Sequence, residues 1–264
     1  MNIRSRLRLV VFFVLLALSL LNFPGLRAVA QQPATDAAAD RDRGIQLYQK
    51  GDNKGAIAVL RAATSKNKDD GDAWHYLGLA LLAEGNKDQA RKAFERAATI
   101  RVGNLATISP LPLARNPEPG PAAAKPRDRY QAAFESTEQY LALNQNPTED
   151  WRVKLEALRF YRDYYDGSRS DETIVTTKEA TTRLRILSKP PPDFSRIAAS
   201  GNSVLRAVFS ADGSVKYVLV LKGVAPDFDL ACIEAARRVK FTPAIKDGHA
   251  VSMILQLEYN RYFL

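Results

Sequence analysis

The chain has 264 residues, of which 46% are hydrophobic and 25% charged, and its formal net charge is +9. This length suits two modest domains or three small units better than one large core. The basic excess is not a nucleic-acid signature, because no Lys- and Arg-rich stretch is interleaved with stacking aromatic residues, and a single cysteine excludes an internal disulfide.

Residues 1–30 are typical of a secretory signal peptide. Three arginines within residues 4–8 precede an uncharged run over residues 9–23, and Ala28-Val29-Ala30 supplies an Ala-x-Ala cleavage site. The alternative is an uncleaved inner-membrane anchor, but the run is short for a spanning helix, which needs about 20 residues. We therefore expect cleavage after Ala30, which leaves a net charge of +5 once four arginines are removed from +9.

Residues 31–108 contain two copies of a pattern, over about 37–70 and 71–104, with a period of 34 residues. The matched positions are Gly44 and Gly78, Leu47 and Leu81, Gly51 and Gly85, Ala56 and Ala90, Leu60 and Phe94, and Ala63 and Ala97. Period and pattern resemble the tetratricopeptide repeat (TPR), in which antiparallel helix pairs stack into arrays that bind peptides or helices. The resemblance implies two helical hairpins and a protein-binding surface, with a spacer or dimerisation unit as the alternative.

Residues 109–127 form a proline-rich segment. Six prolines between residues 109 and 126 exclude a helix or a central strand. We expect a semi-rigid linker that reaches about 50 Å if it is polyproline-like throughout.

Residues 128–167 predict a further helical hairpin, with helices over residues 130–143 and 149–166. Their apolar positions are rich in aromatic residues, which we interpret as core rather than as a ligand cage. Residues 168–184 are polar and rich in Ser and Thr, which indicates a connector. We expect the helical part and residues 185–264 to fold independently across this connector.

Residues 185–264 have the pattern of a small β-β-α-β module. Asp212-Gly213 predicts a tight turn between two strands, Asp229 predicts a helix N-cap, and Asp247-Gly248 predicts a turn into a last strand. The helix should end before Pro243. A short strand over residues 183–187 is expected at the edge of this sheet.

Alternation assigns the faces of the three main strands. The first has Leu205, Ala207 and Phe209 on one face and Val204, Arg206 and Val208 on the other, and the predicted core face of the second is Val215, Tyr217, Leu219 and Leu221. The last strand has Val251, Met253, Leu255, Leu257 and Tyr259 alternating with Ser252, Ile254, Gln256 and Glu258. We expect the latter set to be exposed if the sheet packs on one helix. Cys232 is predicted on the apolar stripe of that helix, as a buried filler.

Five elements of this module resemble the C-terminal domain of the TonB family, periplasmic proteins that transmit inner-membrane energy to outer-membrane transporters. They are Pro190-Pro191-Pro192-Asp193-Phe194, Asp212-Gly213, Phe228-Asp229, Lys240-Phe241-Thr242-Pro243-Ala244 and Gly248. The first departs from the family pattern, because Phe194-Ser195 stands where Tyr-Pro is usual. Overall the sequence thus predicts a multidomain chain, with all-α TPR hairpins followed by a small α+β TonB C-terminal-like domain.

The resemblance implies that a partner strand adds to the edge of the last strand, with Val251, Ser252, Ile254, Gln256 and Glu258 as contact residues. The partner would be an outer-membrane transporter or another protein of the cell envelope, and the protein would act in the periplasm, in transmembrane transport. A plain solvated edge and an edge-to-edge homodimer are alternatives for the same strand.

A second function class is a periplasmic scaffold in which the TPR hairpins bind and the C-terminal module only attaches the protein to the envelope. TonB anchors place a protonatable His in the membrane, and residues 9–23 contain none. The linker is also short for a periplasm-crossing rod. Both features favour this scaffold over true energy transduction.

Catalytic motifs are missing from the sequence. His75 and His249 are far apart, and neither has a Cys or carboxylate at metal-ligand spacing. The chain contains no Gly-rich phosphate loop and no Gly-x-Ser-x-Gly elbow. We therefore expect no catalytic site, no metal and no cofactor, and no nucleic-acid partner.

Overall fold

The computed structural model describes residues 32–108, 125–169 and 173–262. The described residues divide into two compact units, with the boundary between residues 69 and 70. The expected signal peptide and most of the expected proline-rich linker lie outside the described residues. Among the residues that are described, no helix has both the length and the apolar character needed to cross a membrane.

The first unit is a helical hairpin of α1 (Gln32–Gln49) and α2 (Asn53–Lys66). Gly51 adopts φ +83° between them, a left-handed conformation that glycine accepts without strain. The Asp52 carboxylate caps α2 by accepting a hydrogen bond from the Gly55 N–H at 2.9 Å. Gly44 of α1 lies directly against Leu60 of α2. The hairpin predicted for the first repeat is confirmed.

The second unit begins with the hairpin of the second repeat, α3 (Gly71–Ala83) and α4 (Lys87–Asn104), followed by a 3-10 turn over Leu105–Thr107. Gly85 adopts φ +78° between the helices. Gly78 of α3 lies against the ring of Phe94 in α4, just as Gly44 lies against Leu60. Gly44 and Gly78, which occupy equivalent positions in the two repeats, therefore both let the two helices of their hairpin approach closely.

Gly78 offers a test of this close packing. An added Cβ would lie 2.7–2.9 Å from three ring carbons of Phe94. Alanine favours a helix over glycine by about 1 kcal/mol. We nevertheless expect Gly78→Ala to lower the free energy of unfolding by about 1–3 kcal/mol, because overpacking a filled core forces the ring to move. Urea denaturation measures this change.

Gly103 in α4 is the matched control. Its nearest neighbour to an added Cβ is the Leu221 carbonyl oxygen at 3.8 Å, an ordinary contact. Gly103→Ala should therefore leave stability unchanged or raise it. A Gly78→Ala variant as stable as Gly103→Ala would contradict the proposed role of the repeated glycine.

A second helical hairpin of this unit, α5 (Pro126–Leu143) and α6 (Glu149–Asp166), confirms the predicted one, with α5 beginning at Pro126 rather than at Tyr130. Arg101 joins α4 to α5, since its Nη1 donates to the Ala132 carbonyl at 2.9 Å and to Ser136 Oγ at 2.7 Å. Gly167 ends α6 with φ +78°, a common left-handed C-terminal cap.

The C-terminal part of the unit contains seven strands and one helix within the described residues. They are β1 (Arg185–Ser188), β2 (Gly201–Phe209), β3 (Val215–Lys222), α7 (Pro226–Arg237), β4 (Lys240–Thr242), β5 (Ala244–Lys246), β6 (His249–Val251) and β7 (Met253–Arg261). Strands β3, β2 and β7 form an antiparallel sheet in that order. The β-β-α-β order is confirmed, with three short strands added between the helix and β7.

Two local predictions for this part need correction. The short strand expected at the sheet edge exists as β1, but it pairs with β4 rather than with the three-stranded sheet. Helix α7 begins at Pro226, so Asp229 is not its N-cap. The Asp229 carboxylate instead accepts hydrogen bonds from the Val224 N–H at 3.1 Å and from Ser203 Oγ at 3.0 Å. These bonds tie the first turn of α7 to β2.

Both faces of the three-stranded sheet are covered. One face packs on α7 through Leu205, Ala207 and Phe209. The other packs on α5 and α6 in a shared core that contains Val208, Leu219, Leu221, Ile254, Tyr130, Leu158, Phe160 and Tyr161. The prediction that the sheet packs on one helix alone is therefore wrong. The shared core also argues against the independent folding expected for residues 185–264.

A bulge in β3 divides its side chains between these two faces. The register between β2 and β3 shifts between Arg206 and Val208, and Tyr217 adopts φ +48°. Its ring stacks on Phe160 of α6 with the centroids 3.8 Å apart. The predicted core face of β3 is consequently split, with Val215 toward α7 and with Tyr217, Leu219 and Leu221 toward the helical hairpin.

Arg206 of β2 is fully buried between the sheet and the helices. Its Nη1 donates to the Tyr130 hydroxyl at 2.5 Å, and its Nη2 donates to the Ile108 carbonyl at 2.5 Å. Within the described residues no carboxylate pairs with it. A buried cation without hydrogen-bond partners is energetically costly. Arg206 therefore favours the one arrangement of sheet and helices in which both bonds form.

Candidate partner-binding edge

Strand β7 forms one edge of the three-stranded sheet. It pairs with β2 from Gly201 opposite Arg261 to Phe209 opposite Met253, without a register shift. On the side of β7 that faces away from β2, a parallel bridge pairs Ile174 with Ser252, at the start of β7. Along the rest of that side, no strand of the described part of the chain pairs with β7, which leaves an open strand edge.

The chain enters β7 through the Asp247-Gly248 turn that the sequence predicted. Asp247 and Gly248 have φ +51° and +80°, values typical of a type I′ hairpin turn. The turn pairs Lys246 of β5 with His249 of β6. Strand β6 then leads directly into Ser252 and β7.

The bridge at Ser252 shows which backbone groups point outward. The Ser252 N–H donates to the Thr173 carbonyl at 2.9 Å, and the Ser252 carbonyl accepts from the Val175 N–H at 2.9 Å. The two backbone groups of a residue in a paired strand point to the same side, and successive residues alternate. Ile254, Gln256 and Glu258 therefore direct their N–H and C=O groups to the open edge, while Leu255 and Leu257 face β2.

The five predicted contact residues differ in exposure. Gln256 and Glu258 are exposed, as expected. The exposure expected for Ser252 and Ile254 is wrong, since their exposed fractions are 0% and 1%. Helices α5 and α6 cover Ile254, and the Ser252 hydroxyl accepts from the Ala211 N–H at 2.8 Å. Val251 is also buried, as its predicted core position requires.

The differences in exposure decide whether a residue can contact a partner strand with its side chain or only with its backbone. Gln256 and Glu258 offer both side chain and backbone, whereas Ile254 offers only its outward backbone groups. Ser252 has given its outward groups to Thr173 and Val175. The backbone groups of Val251 point to the opposite side from those of Ser252, toward Ala244 of β5, with which Val251 pairs.

The segment over residues 173–176 belongs to this edge, and the sequence interpretation missed it. Val175 is buried against Val251 and Met253. Glu179 accepts the Thr176 N–H at 2.8 Å, and the hydrogen bonds from Thr176 lower the pKa of the Glu179 carboxyl. A signal was present, because Thr173-Ile174-Val175-Thr176 is a β-branched run within a stretch assigned as connector.

Lys189 marks the other end of the open stretch. Its Nζ donates to the Glu258 carbonyl at 2.7 Å and lies 4.5 Å from the centre of the Tyr259 ring. Burial raises the pKa of Tyr259 to about 12, so this phenol stays neutral. Between these two ends, the main-chain groups without a partner among the described residues are the N–H and C=O of Ile254 and Gln256 and the N–H of Glu258.

His75 and Cys232 are both buried and electrically neutral. No group of His, Cys, Asp and Glu in the described residues has an arrangement that could hold a metal ion. His75 is buried, with its Nδ1 3.0 Å from Ser136 Oγ, and burial lowers the pKa of its imidazole to about 3. Cys232 lies on the buried face of α7, as predicted, and burial raises the pKa of its thiol to about 12.

Two family models match the chain. Residues 41–104 match the tetratricopeptide repeat, and residues 191–260 match the Gram-negative bacterial TonB protein C-terminal family. No curated protein matches the chain. Both matched families are protein-interaction domains without catalytic function, and the second is associated with the Gram-negative cell envelope. Helices α5 and α6 lie between the two matched ranges.

Proposed function

The chain carries tetratricopeptide repeats followed by a TonB C-terminal domain, and from this we propose that it docks onto another envelope protein through the outer edge of β7. The observation that carries the proposal is the open stretch of backbone from Ile254 to Glu258. An extended segment of the partner pairs with these groups, and main-chain hydrogen bonds supply the affinity. Gln256 and Glu258 supply the side-chain contacts.

The footprint of the partner strand is short. The backbone N–H and C=O of Ser252 already form hydrogen bonds with residues 173–175, and the carbonyl of Glu258 already accepts a hydrogen bond from Lys189. A partner strand therefore centres on Gln256. Specificity then rests on register, because a one-residue slip turns every partner side chain to the other face.

The edge is preorganised for such binding. The sheet is held between α7 on one face and α5 and α6 on the other, and Ile254 is anchored in the second core. A rigid edge loses little conformational entropy when a strand is added. This support favours docking over a strand that orders only on contact.

We assign the protein to the periplasm, exported through residues 1–30. The partner is an outer-membrane transporter or another envelope protein, and the process served is transmembrane transport. The envelope-associated C-terminal domain supports this assignment. The lack of a His in residues 9–23 supports docking without energy transduction.

The second candidate function is a scaffold. In it, the repeats bind the partner protein and the C-terminal domain attaches the chain to the envelope. One observation favours it, because Arg206 ties β2 to Tyr130 of α5 and to the Ile108 carbonyl beyond α4. The C-terminal domain is thereby built into the same compact unit as the second repeat. In this case the β7 edge is not needed for capture of the partner.

Gln256→Pro should abolish capture of a partner strand. Proline removes the outward N–H of Gln256 and leaves the hydrogen bonds of Leu255 and Leu257 to β2 in place. The measurement is a titration of synthetic peptides, taken from the periplasmic N-terminal segments of outer-membrane transporters, against the full-length protein. We expect a loss of at least about tenfold in affinity, since several main-chain bonds are lost together.

Gln256→Ala and Gln256→Lys are the controls, because both keep the N–H. They should weaken binding only modestly and change stability by no more than about 0.5 kcal/mol. Ile254→Pro is unsuitable, since Ile254 is part of the core. Unchanged binding by a folded Gln256→Pro variant would contradict edge addition and leave the repeats as the binding surface.

A further inference from the structure

Strand β1 is exposed along its whole length. Every residue of Arg185–Ser188 is exposed. Ile186 and Leu187 are 42% and 55% exposed, and Tyr262 is the other large apolar side chain left so exposed in the described residues. Strand β1 pairs with β4 on one side, and in the described part of the chain no strand pairs with its other side. An exposed apolar edge is a template for a further strand.

The usable edge is longer than β1 itself. Thr182 and Ile245 exchange two backbone hydrogen bonds, of 3.0 Å and 2.9 Å, ahead of β1 and beyond β4. The outer edge therefore runs from Thr182 to Ser188. The register shifts between Ile186 and Ser188, which makes Leu187 the extra residue of a bulge.

This edge is strongly basic. The paired segments that form the edge, residues 182–189 and 240–246, contain five Lys and Arg and no Asp or Glu. Arg183, Arg185 and Lys240 are exposed, and none of them forms an ion pair with a described carboxylate. Charges that are not neutralised locally create a positive potential over the edge.

We propose that the outer edge of β1 is a second docking site, which accepts an extended acidic segment of a partner protein. The partner backbone pairs with the edge from Thr182 to Ser188, its carboxylates meet Arg183 and Arg185, and its apolar side chains cover Ile186 and Leu187. An anionic membrane surface matches the charge but leaves the N–H and C=O groups of the edge unpaired. This site does not depend on docking at β7.

The probe for this site is an acetylated, amidated peptide in which Glu and Val alternate. Titrated by fluorescence anisotropy against the full-length protein, it should bind, and the same peptide with Lys in place of Glu should not. The double variant Arg183→Glu and Arg185→Glu should weaken binding by about tenfold or more, because it replaces attraction with repulsion. Binding should also weaken as salt is raised.

Two matched variants keep this test specific. Lys54→Glu and Lys92→Glu together change the net charge equally at exposed positions on helices α2 and α4, outside the proposed site, and should alter affinity by less than about twofold. Arg183→Lys and Arg185→Lys keep the charge and should keep binding. Urea denaturation confirms that every variant is folded.

Amide hydrogen exchange locates the bound peptide. Protection should appear at residues 183–188 and not at residues 254–258. Protection confined to residues 254–258, equal binding of the Lys peptide, or binding of phosphatidylglycerol vesicles without binding of the Glu peptide would each overturn the proposal.

Discussion

Residues 185–264, expressed alone, should form a molten species that unfolds without cooperativity, whereas residues 70–264 should unfold in one cooperative transition. The shorter fragment lacks α5 and α6, which cover one face of its sheet. It would expose Val208, Leu219, Leu221 and Ile254 to water. It would also leave Arg206 without the hydroxyl of Tyr130 and the carbonyl of Ile108.

The size of this effect follows from the area exposed. Full burial of an aliphatic side chain of this size contributes about 1.5–3 kcal/mol. The free energy lost when four such side chains become exposed is therefore comparable to the whole free energy of unfolding of a small domain, about 5–15 kcal/mol. The core on α7 remains in this fragment, but it loses Val153 of α6, which packs in it.

Near-ultraviolet circular dichroism and urea unfolding distinguish the outcomes. The short fragment should retain far-ultraviolet signal, lose near-ultraviolet signal and bind a hydrophobic dye. The fragment over residues 70–264 is the control, since it contains the complete shared core. Cooperative unfolding of residues 185–264 would show that the sheet and α7 suffice, as the sequence alone suggested.

Acidification should destabilise the protein through His75. The folded pKa of His75 is about 3, against 6.5 for the free side chain. Below pH 6.5 the unfolded chain therefore binds a proton that the folded chain does not. The free energy of unfolding should fall by up to about 1.4 kcal/mol per pH unit, and this loss should level off as the pH approaches the folded pKa.

The network around His75 explains why its imidazole stays neutral. Burial is the main cause, and the cation of Arg101 acts in the same direction, while Asp72 opposes them. Ser136 Oγ accepts from Arg101 Nη1 and lies 3.0 Å from His75 Nδ1, so the neutral imidazole has a hydrogen-bonding partner in the core.

Urea unfolding of the wild type and of His75→Gln at pH 6.5 and pH 5 measures this contribution. Glutamine does not titrate, so the wild type should lose about 1.6 kcal/mol more than the variant over this range. Burial raises the pKa of Asp229, which acts in the opposite direction, but Asp229 is present in both proteins and its effect cancels. Equal losses in the two proteins would mean that His75 is protonated in the folded state.

Features with a local cause could be predicted from the sequence. The 34-residue period located both repeat hairpins, because Gly44 and Gly78 meet the need for close helix contact within each copy. Asp247-Gly248 predicted a turn, because these residues accept positive φ. Alternation predicted the course of β7, because side chains in a strand point to opposite faces.

Features with a distant cause were decided by the tertiary structure. Alternation separates the face of Ile254 from the face of Leu257 but does not show what covers either one, and here α5 and α6 bury Ile254. The bulge at Tyr217 and the burial of Arg206 depend on the same helices. Residues 173–176 join the β7 edge, and β1 pairs with β4, through hydrogen bonds between segments far apart in the chain. Such pairings follow from the packing of the whole unit, so no local pattern of residues determines them.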